Sequence, residues 1–159
     1  MKKILLLFLL LVQLFVFTGC SKDLESLTIG DQYIFKMEEE NYLIYFYKDG
    51  CSSCELTTPI VLQFVKEGDK KVYAVNLHPE GEDQSRIFRK FTLGNTAQGV
   101  KGDFYVDGTT AWSEMYIASS PALIEVKTEE YKGEKVKMAY FIANGETAIT
   151  EYLQGLLNE

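Results

Sequence analysis

Tyr42-Leu43-Ile44-Tyr45-Phe46-Tyr47-Lys48-Asp49-Gly50-Cys51-Ser52-Ser53-Cys54 decides how this chain folds. The apolar, aromatic run reads as a buried strand, Lys48-Asp49-Gly50 as a turn, and Cys51 as the mouth of a helix. The unpaired N–H groups and positive dipole end of a helix start favour a thiolate there over a thiol. Two cysteines separated by two residues can also close a short disulfide. The stretch therefore offers a nucleophile and a resolving partner.

Working outward, residues 52–67 carry a helical pattern, with Leu56, Ile60, Val61, Phe64 and Val65 on neighbouring turns. Pro59 lies inside it and should kink it, and Gly68-Asp69 ends it. Residues 71–77 alternate into a second strand, so strand, helix and strand imply a parallel crossover. Upstream, residues 31–40 fit either a short helix, with Tyr33, Ile34 and Met37 on one face, or an extended segment. Downstream, residues 79–83 read as a turn and 85–93 as a helix. Gly94, Gly99, Gly102 and Gly108 mark a long loop region, with a further short helix expected within 107–115. A strand over 122–127, a hairpin turn within 129–134 and a strand over 135–143 follow. Val136, Met138, Tyr140 and Ile142 are expected on one side of that last strand. Asn144-Gly145 closes it, and residues 146–158 read as an amphipathic helix with Ile149, Tyr152, Leu153, Leu156 and Leu157 inward.

The N-terminus reads as an address. Lys2 and Lys3 precede an apolar run over residues 4–17, interrupted by Gln13, and Phe17-Thr18-Gly19-Cys20 follows. This resembles a bacterial lipoprotein signal, in which the cysteine is lipidated and becomes the new N-terminus; Phe17 departs from the aliphatic residue usual there. The run is short of the ~20 residues that span a bilayer. The expected organisation is a signal over 1–19, a lipid-anchored tether from Cys20 over 20–30, and one domain over 31–159. An uncleaved anchor is the alternative. Either places the domain outside the cytoplasm on a membrane surface.

The formal charge is −7, and removing Lys2 and Lys3 with the signal takes it to −9. That acidic balance argues against nucleic acid and against a basic patch gripping anionic lipid. With Cys20 lipidated, Cys51 and Cys54 are the remaining pair. A disulfide across so short a loop constrains little of the unfolded chain, so the pair suits redox work better than stapling.

Three features together resemble the thioredoxin superfamily, and within it the membrane-anchored thioredoxin-like lipoproteins of bacteria. These are the strand, turn, Cys51-Ser52-Ser53-Cys54 and helix; Pro59, five residues after the second cysteine; and Tyr116-Ile117-Ala118-Ser119-Ser120-Pro121-Ala122-Leu123-Ile124-Glu125-Val126, which looks like the segment holding that family's cis-proline. The resemblance spans roughly residues 41–77 and 115–158. It implies an α/β fold with a central mixed β-sheet flanked by helices. It also implies thiol–disulfide exchange on protein thiols or disulfides, with no cofactor and with a membrane redox partner to renew the site. Cys51 would attack and Cys54, more buried, would resolve. Pro121 would be cis, leaving the Ser120 backbone free to pair with a substrate strand. Two positions depart from the family. Gly50 stands where thioredoxins usually carry Trp, and Tyr45 stands where they bury an acid that helps deprotonate the resolving cysteine.

Competing readings are blander. Cys51–Cys54 could be an inert disulfide in a partner-binding lipoprotein, and Pro121 an ordinary trans proline. His78, the single histidine, invites a copper or zinc site with the two cysteines, but a solvated loop histidine before Pro79 is the expectation and no metal is assigned. Trp112 is expected in the core or a groove wall.

Overall fold

The aromatic run forms β1 (Asn41–Tyr47), in which every side chain from Tyr42 to Phe46 is fully buried. A strand buried on both faces lies inside a sheet with a layer on each side. The computed structural model, which describes residues 20–78, 87 and 104–159, supplies both layers. The expected signal over 1–19, the turn over 79–83 and, apart from Ile87, the helix over 85–93 lie outside the described residues, as do Gly94, Gly99 and Gly102.

The remaining principal elements are α1 (Cys20–Leu27), α2 (Ser52–Glu67), β2 (Lys71–Asn76), β3 (Ala122–Tyr131), β4 (Glu134–Asn144) and α3 (Glu146–Leu157). The four strands form one mixed sheet in the order β2-β1-β3-β4. β1 and β2 are parallel, as a helical crossover requires, while β1–β3 and β3–β4 are antiparallel. The chain is thus mixed α/β.

Alternation along β1 splits the core in two. Leu43 and Tyr45 face Leu24 of α1, Val61 and Phe64 of α2, and Ile149 and Leu153 of α3. Tyr42, Ile44 and Phe46 face the other way, toward Ile34, Ile87, Val106, Met115 and Ile117. All three described helices therefore cover one face, and largely irregular segments cover the other. Each fully buried large apolar side chain contributes about 1.5–3 kcal/mol, so neither layer is dispensable. Trp112 lies partly buried against the second cluster.

Residues 20–30, expected as a tether, carry structure. Cys20–Leu27 is helical, Leu24 is buried, and Thr28 then bridges Ala74 in parallel. The Ile29 N–H donates to the Ala74 carbonyl at 2.8 Å, which occupies the outer edge of β2. Segment 107–109 does the same for β4. The Gly108 N–H donates to the Ala139 carbonyl and the Ala139 N–H to the Thr109 carbonyl, both at 2.9 Å. Exposed strand edges invite pairing with other chains, and these short segments blunt both.

Other expectations change in detail. Within 31–40 a single 3-10 turn forms, Asp31–Tyr33; Ile34 is buried but Tyr33 is 48% exposed. Residues 107–115 hold one 3-10 turn, Trp112–Glu114. On β4, Ala139 and Phe141 pack on one face and Ile142 and Ala143 on the other, so Ile142 lies opposite the odd-numbered pair as the alternation expects. The register adds one feature at the end of the strand: Leu123 pairs with Ala143 and Ile124 with Phe141, so Ile142 is an extra residue in a bulge. A bulge reverses which face the following residues take.

Among the described residues one charged side chain is buried. Glu125, with 4% of its side chain exposed, accepts from Lys70 at 2.7 Å and from Lys127 at 3.0 Å. Burial alone pushes its carboxyl up, but the two lysine hydrogen bonds and charges outweigh that and hold it below its ordinary range. A carboxyl depressed in the folded state contributes stability above its unfolded pKa and loses it as pH falls through the folded value. Glu125→Gln should therefore lower stability at about pH 7 by ~1–3 kcal/mol and weaken its decline toward about pH 3, read by urea denaturation at both pH values.

Candidate functional site

Cys51 and Cys54 are joined in a disulfide at the start of α2. β1 ends at Tyr47, and Lys48, Asp49 and Gly50 turn the chain into the helix. Gly50 has φ +66°, a conformation that L side chains rarely adopt. A tryptophan at this position would sit in the left-handed region. The turn is held from β2. The Leu77 N–H donates to the Tyr47 carbonyl at 2.7 Å, and Asn76 Nδ2 donates to the Asp49 carboxylate at 2.9 Å.

Cys51 is itself the cap of α2. Its backbone is extended, and its sulfur accepts the Cys54 N–H at 3.2 Å, one of the donors every helix start leaves unpaired. The Ser53 hydroxyl lies 3.4 Å from the same sulfur and the Ser120 hydroxyl 3.7 Å. A disulfide sulfur carries no proton, so both hydroxyls are the donors. The Ser120 carbonyl oxygen stands 3.8 Å away. Sequence reasoning gave Ser53 no role; its position two residues after the capping cysteine is the signal that a hydroxyl there reaches back to the sulfur.

Ser120 and Pro121 belong to the loop entering β3, and the Ser120–Pro121 peptide bond is cis. Two contacts hold this loop. Asn144 Nδ2 donates to the Ser119 hydroxyl at 3.0 Å, and the Gly145 N–H donates to the Pro121 carbonyl at 2.9 Å. Asn144 and Gly145 read from sequence only as the end of a strand. The structure makes them the support that brings residues 119–121 against Cys51.

Beneath the pair, Tyr45 reaches up from β1. It is fully buried, stacks on Tyr47, and donates its phenol to the Cys54 carbonyl at 3.2 Å. The Thr58 hydroxyl donates to the same carbonyl at 2.8 Å and the Thr57 hydroxyl to that of Ser53 at 2.7 Å. Burial pushes the Tyr45 phenol up to about 12, against the opposing pull of the two threonine hydroxyls. It is neutral near pH 7 and works as a donor, where an acid would be charged.

The order of exposure is as expected but the difference is narrow: Cys51 is 6% exposed and Cys54 3%. His78 is exposed, and its backbone N–H donates to Asn76 Oδ1 at 3.0 Å. Among the described residues no three histidine, cysteine or acidic side chains come together as metal ligands, and no helix is long and apolar enough to cross a membrane. Cys20 is the first residue of α1.

With the disulfide opened, the arrangement can support negative charge on the Cys51 sulfur while presenting a backbone carbonyl beside it. Comparison with known proteins returns no matching family profile and no matching curated relative, so the geometry itself carries the reading.

Proposed function

We propose that this protein is an extracytoplasmic thiol–disulfide oxidoreductase of thioredoxin-like fold, anchored to a membrane through lipid on Cys20. The observation that carries it is the Cys51–Cys54 disulfide capping α2 against the Ser120–Pro121 loop. The mixed sheet in the order β2-β1-β3-β4, with the pair following β1 and the loop preceding β3, supports the same reading.

The chemistry balances without a cofactor. The Cys51 thiolate attacks one sulfur of a protein disulfide; an S–S bond forms, and the second substrate sulfur leaves as a thiolate and takes a proton. The Cys54 thiolate then attacks Cys51, closing the internal disulfide and releasing the other substrate thiolate. Two electrons pass to the substrate, and the reverse sequence oxidises a substrate dithiol. The Cys54 N–H, Ser53 and Ser120 are placed to stabilise charge on Cys51 in either direction. The Ser120 backbone, beside the sulfur, suits pairing with an extended substrate segment. A thiol or quinone-linked protein at the membrane would renew the site. Because α1 starts at Cys20 and is docked by Leu24, the anchor would hold the domain close to the lipid surface.

The burial of both cysteines favours one competing reading, a redox-silent disulfide in a partner-binding module. Trapping separates the two. Cys54→Ser should accumulate mixed disulfides with exported proteins, seen as reductant-sensitive bands in intact cells, and Cys51→Ser should form none. Absence of adducts from both variants, with a pair that never cycles in physiological redox buffers, would establish the silent module.

The hydroxyl donors give a second prediction. In the reduced protein, Ser53→Ala and Ser120→Ala should each slow alkylation of Cys51 at about pH 7 by about three-fold, because each removes one donor to the thiolate. Stopped alkylation with mass readout measures it, and rates equal to wild type would remove the hydroxyls from the mechanism.

A further inference from the structure

The first turn of α2 has a weakness that the disulfide conceals. An α-helix holds each turn by N–H donors four residues on, and Pro59 has none, so the Glu55 carbonyl lacks its ladder bond. The turn that carries Cys54 is therefore joined less firmly to the rest of the helix. While the disulfide is closed, Cys51 holds Cys54 directly. Once Cys51 is bonded to a substrate that tie is gone, yet Cys54 must still strike the Cys51 sulfur in line.

We propose that Tyr45 is a positioning residue for the resolving step: its phenol, clamped on the Cys54 carbonyl, holds Cys54 against the sheet when the internal disulfide is open. This rests on the exchange reading above. The Thr57 and Thr58 hydroxyls bond carbonyls four residues back on their own helix, so those bonds stiffen the turn from within. The Tyr45 bond comes from β1, the most buried element of the fold, and so fixes the turn to an immobile base. The phenol is fully buried, and leaving the Cys54 carbonyl would break the bond its hydroxyl donates. Of the ionisable side chains on the elements around Cys54, Tyr47 stacks on Tyr45 and Glu55 is exposed, while residues 119–121 bring only two serines and a proline. Tyr45 acts through the Cys54 backbone; it does not touch substrate.

The step concerned has defined products. In the mixed disulfide between Cys51 and an aromatic nitrobenzoate thiol, the Cys54 thiolate attacks Cys51, the Cys51–aryl S–S bond breaks, and the coloured aryl thiolate leaves. Reacting the reduced chain with the corresponding bis-nitrobenzoate disulfide thus releases one coloured thiolate when Cys51 attacks and a second when Cys54 resolves. Stopped-flow absorbance separates the two phases.

Tyr45→Phe keeps the ring, its burial and its stacking, and should leave the first phase unchanged while slowing the second by about five-fold. Tyr45→Met, which fills the site with an adaptable apolar chain, is the second variant and should show the same split; thermal unfolding of both oxidised variants confirms that they fold. A second phase as fast as wild type, or both phases slowed alike, would overturn the positioning role. A wild-type chain whose Cys51 releases no first thiolate would remove the exchange reading itself, and this role with it.

Discussion

Burial of β1 on both faces is the constraint from which the rest of the structure follows. Five consecutive side chains, Tyr42 to Phe46, are without solvent exposure, and no single layer can cover residues that alternate in direction. Hence α1, α2 and α3 close one face and the segments around Ile34, Val106 and Ile117 the other. The polar tips of the two large tyrosines in the run must then find partners inside. Tyr42 donates to the Ile34 carbonyl at 2.6 Å and Tyr45 to that of Cys54 at 3.2 Å. The first bond secures the chain entering the strand and the second reaches the helix that leaves it. Packing and site geometry are thus set by the same strand.

At the cysteines, two effects of similar size oppose each other. Burial disfavours charge on sulfur. Against it stand the helix-start dipole, about 0.3–1 kcal/mol and up to ~2 when partly buried, and hydrogen bonds to a charged acceptor, about 1.5–3 kcal/mol at good geometry. The distances to Cys51, 3.2 to 3.7 Å, suit the longer bonds that sulfur makes. What decides is asymmetry. Three donors converge on the Cys51 sulfur, whereas the bonds made by Cys54 run through its backbone: its N–H to Cys51 and its carbonyl to Tyr45 and Thr58. Charge is therefore better supported on Cys51 than on Cys54.

Local pattern made much of this readable. The aromatic run, the turn and α2 with Pro59 stand where residue types and helical spacing put them, because each signal is contiguous and strong. β4 was only partly readable. Its apolar even-numbered residues alternate as a strand should, but the bulge at Ile142 depends on pairing with β3, which no local pattern records. The same holds at the site. The cysteines announce themselves by spacing, while the support from Asn144 and Gly145 joins positions far apart in sequence through ordinary polar groups. The docking of α1 was hidden for a related reason: Leu24 and Leu27 are only two apolar residues in a polar stretch, and their burial depends on a groove built by α2 and β2.

Gly50 shows how the turn and the access to sulfur are linked. A bulky ring before the first cysteine would need a backbone that L residues adopt readily, but here φ is +66°, and a side chain at this point costs about 1 kcal/mol of strain. The turn does not need such a ring, because the Leu77 N–H and Asn76 already hold Tyr47 and Asp49. Among the described residues nothing lies within 4 Å of where a Gly50 Cβ would stand. Cys51 itself is only 6% exposed, so open space beside its neighbour matters to whatever approaches the sulfur. Backbone bonds to β2 shape the turn, and that leaves the ground next to Cys51 unfilled.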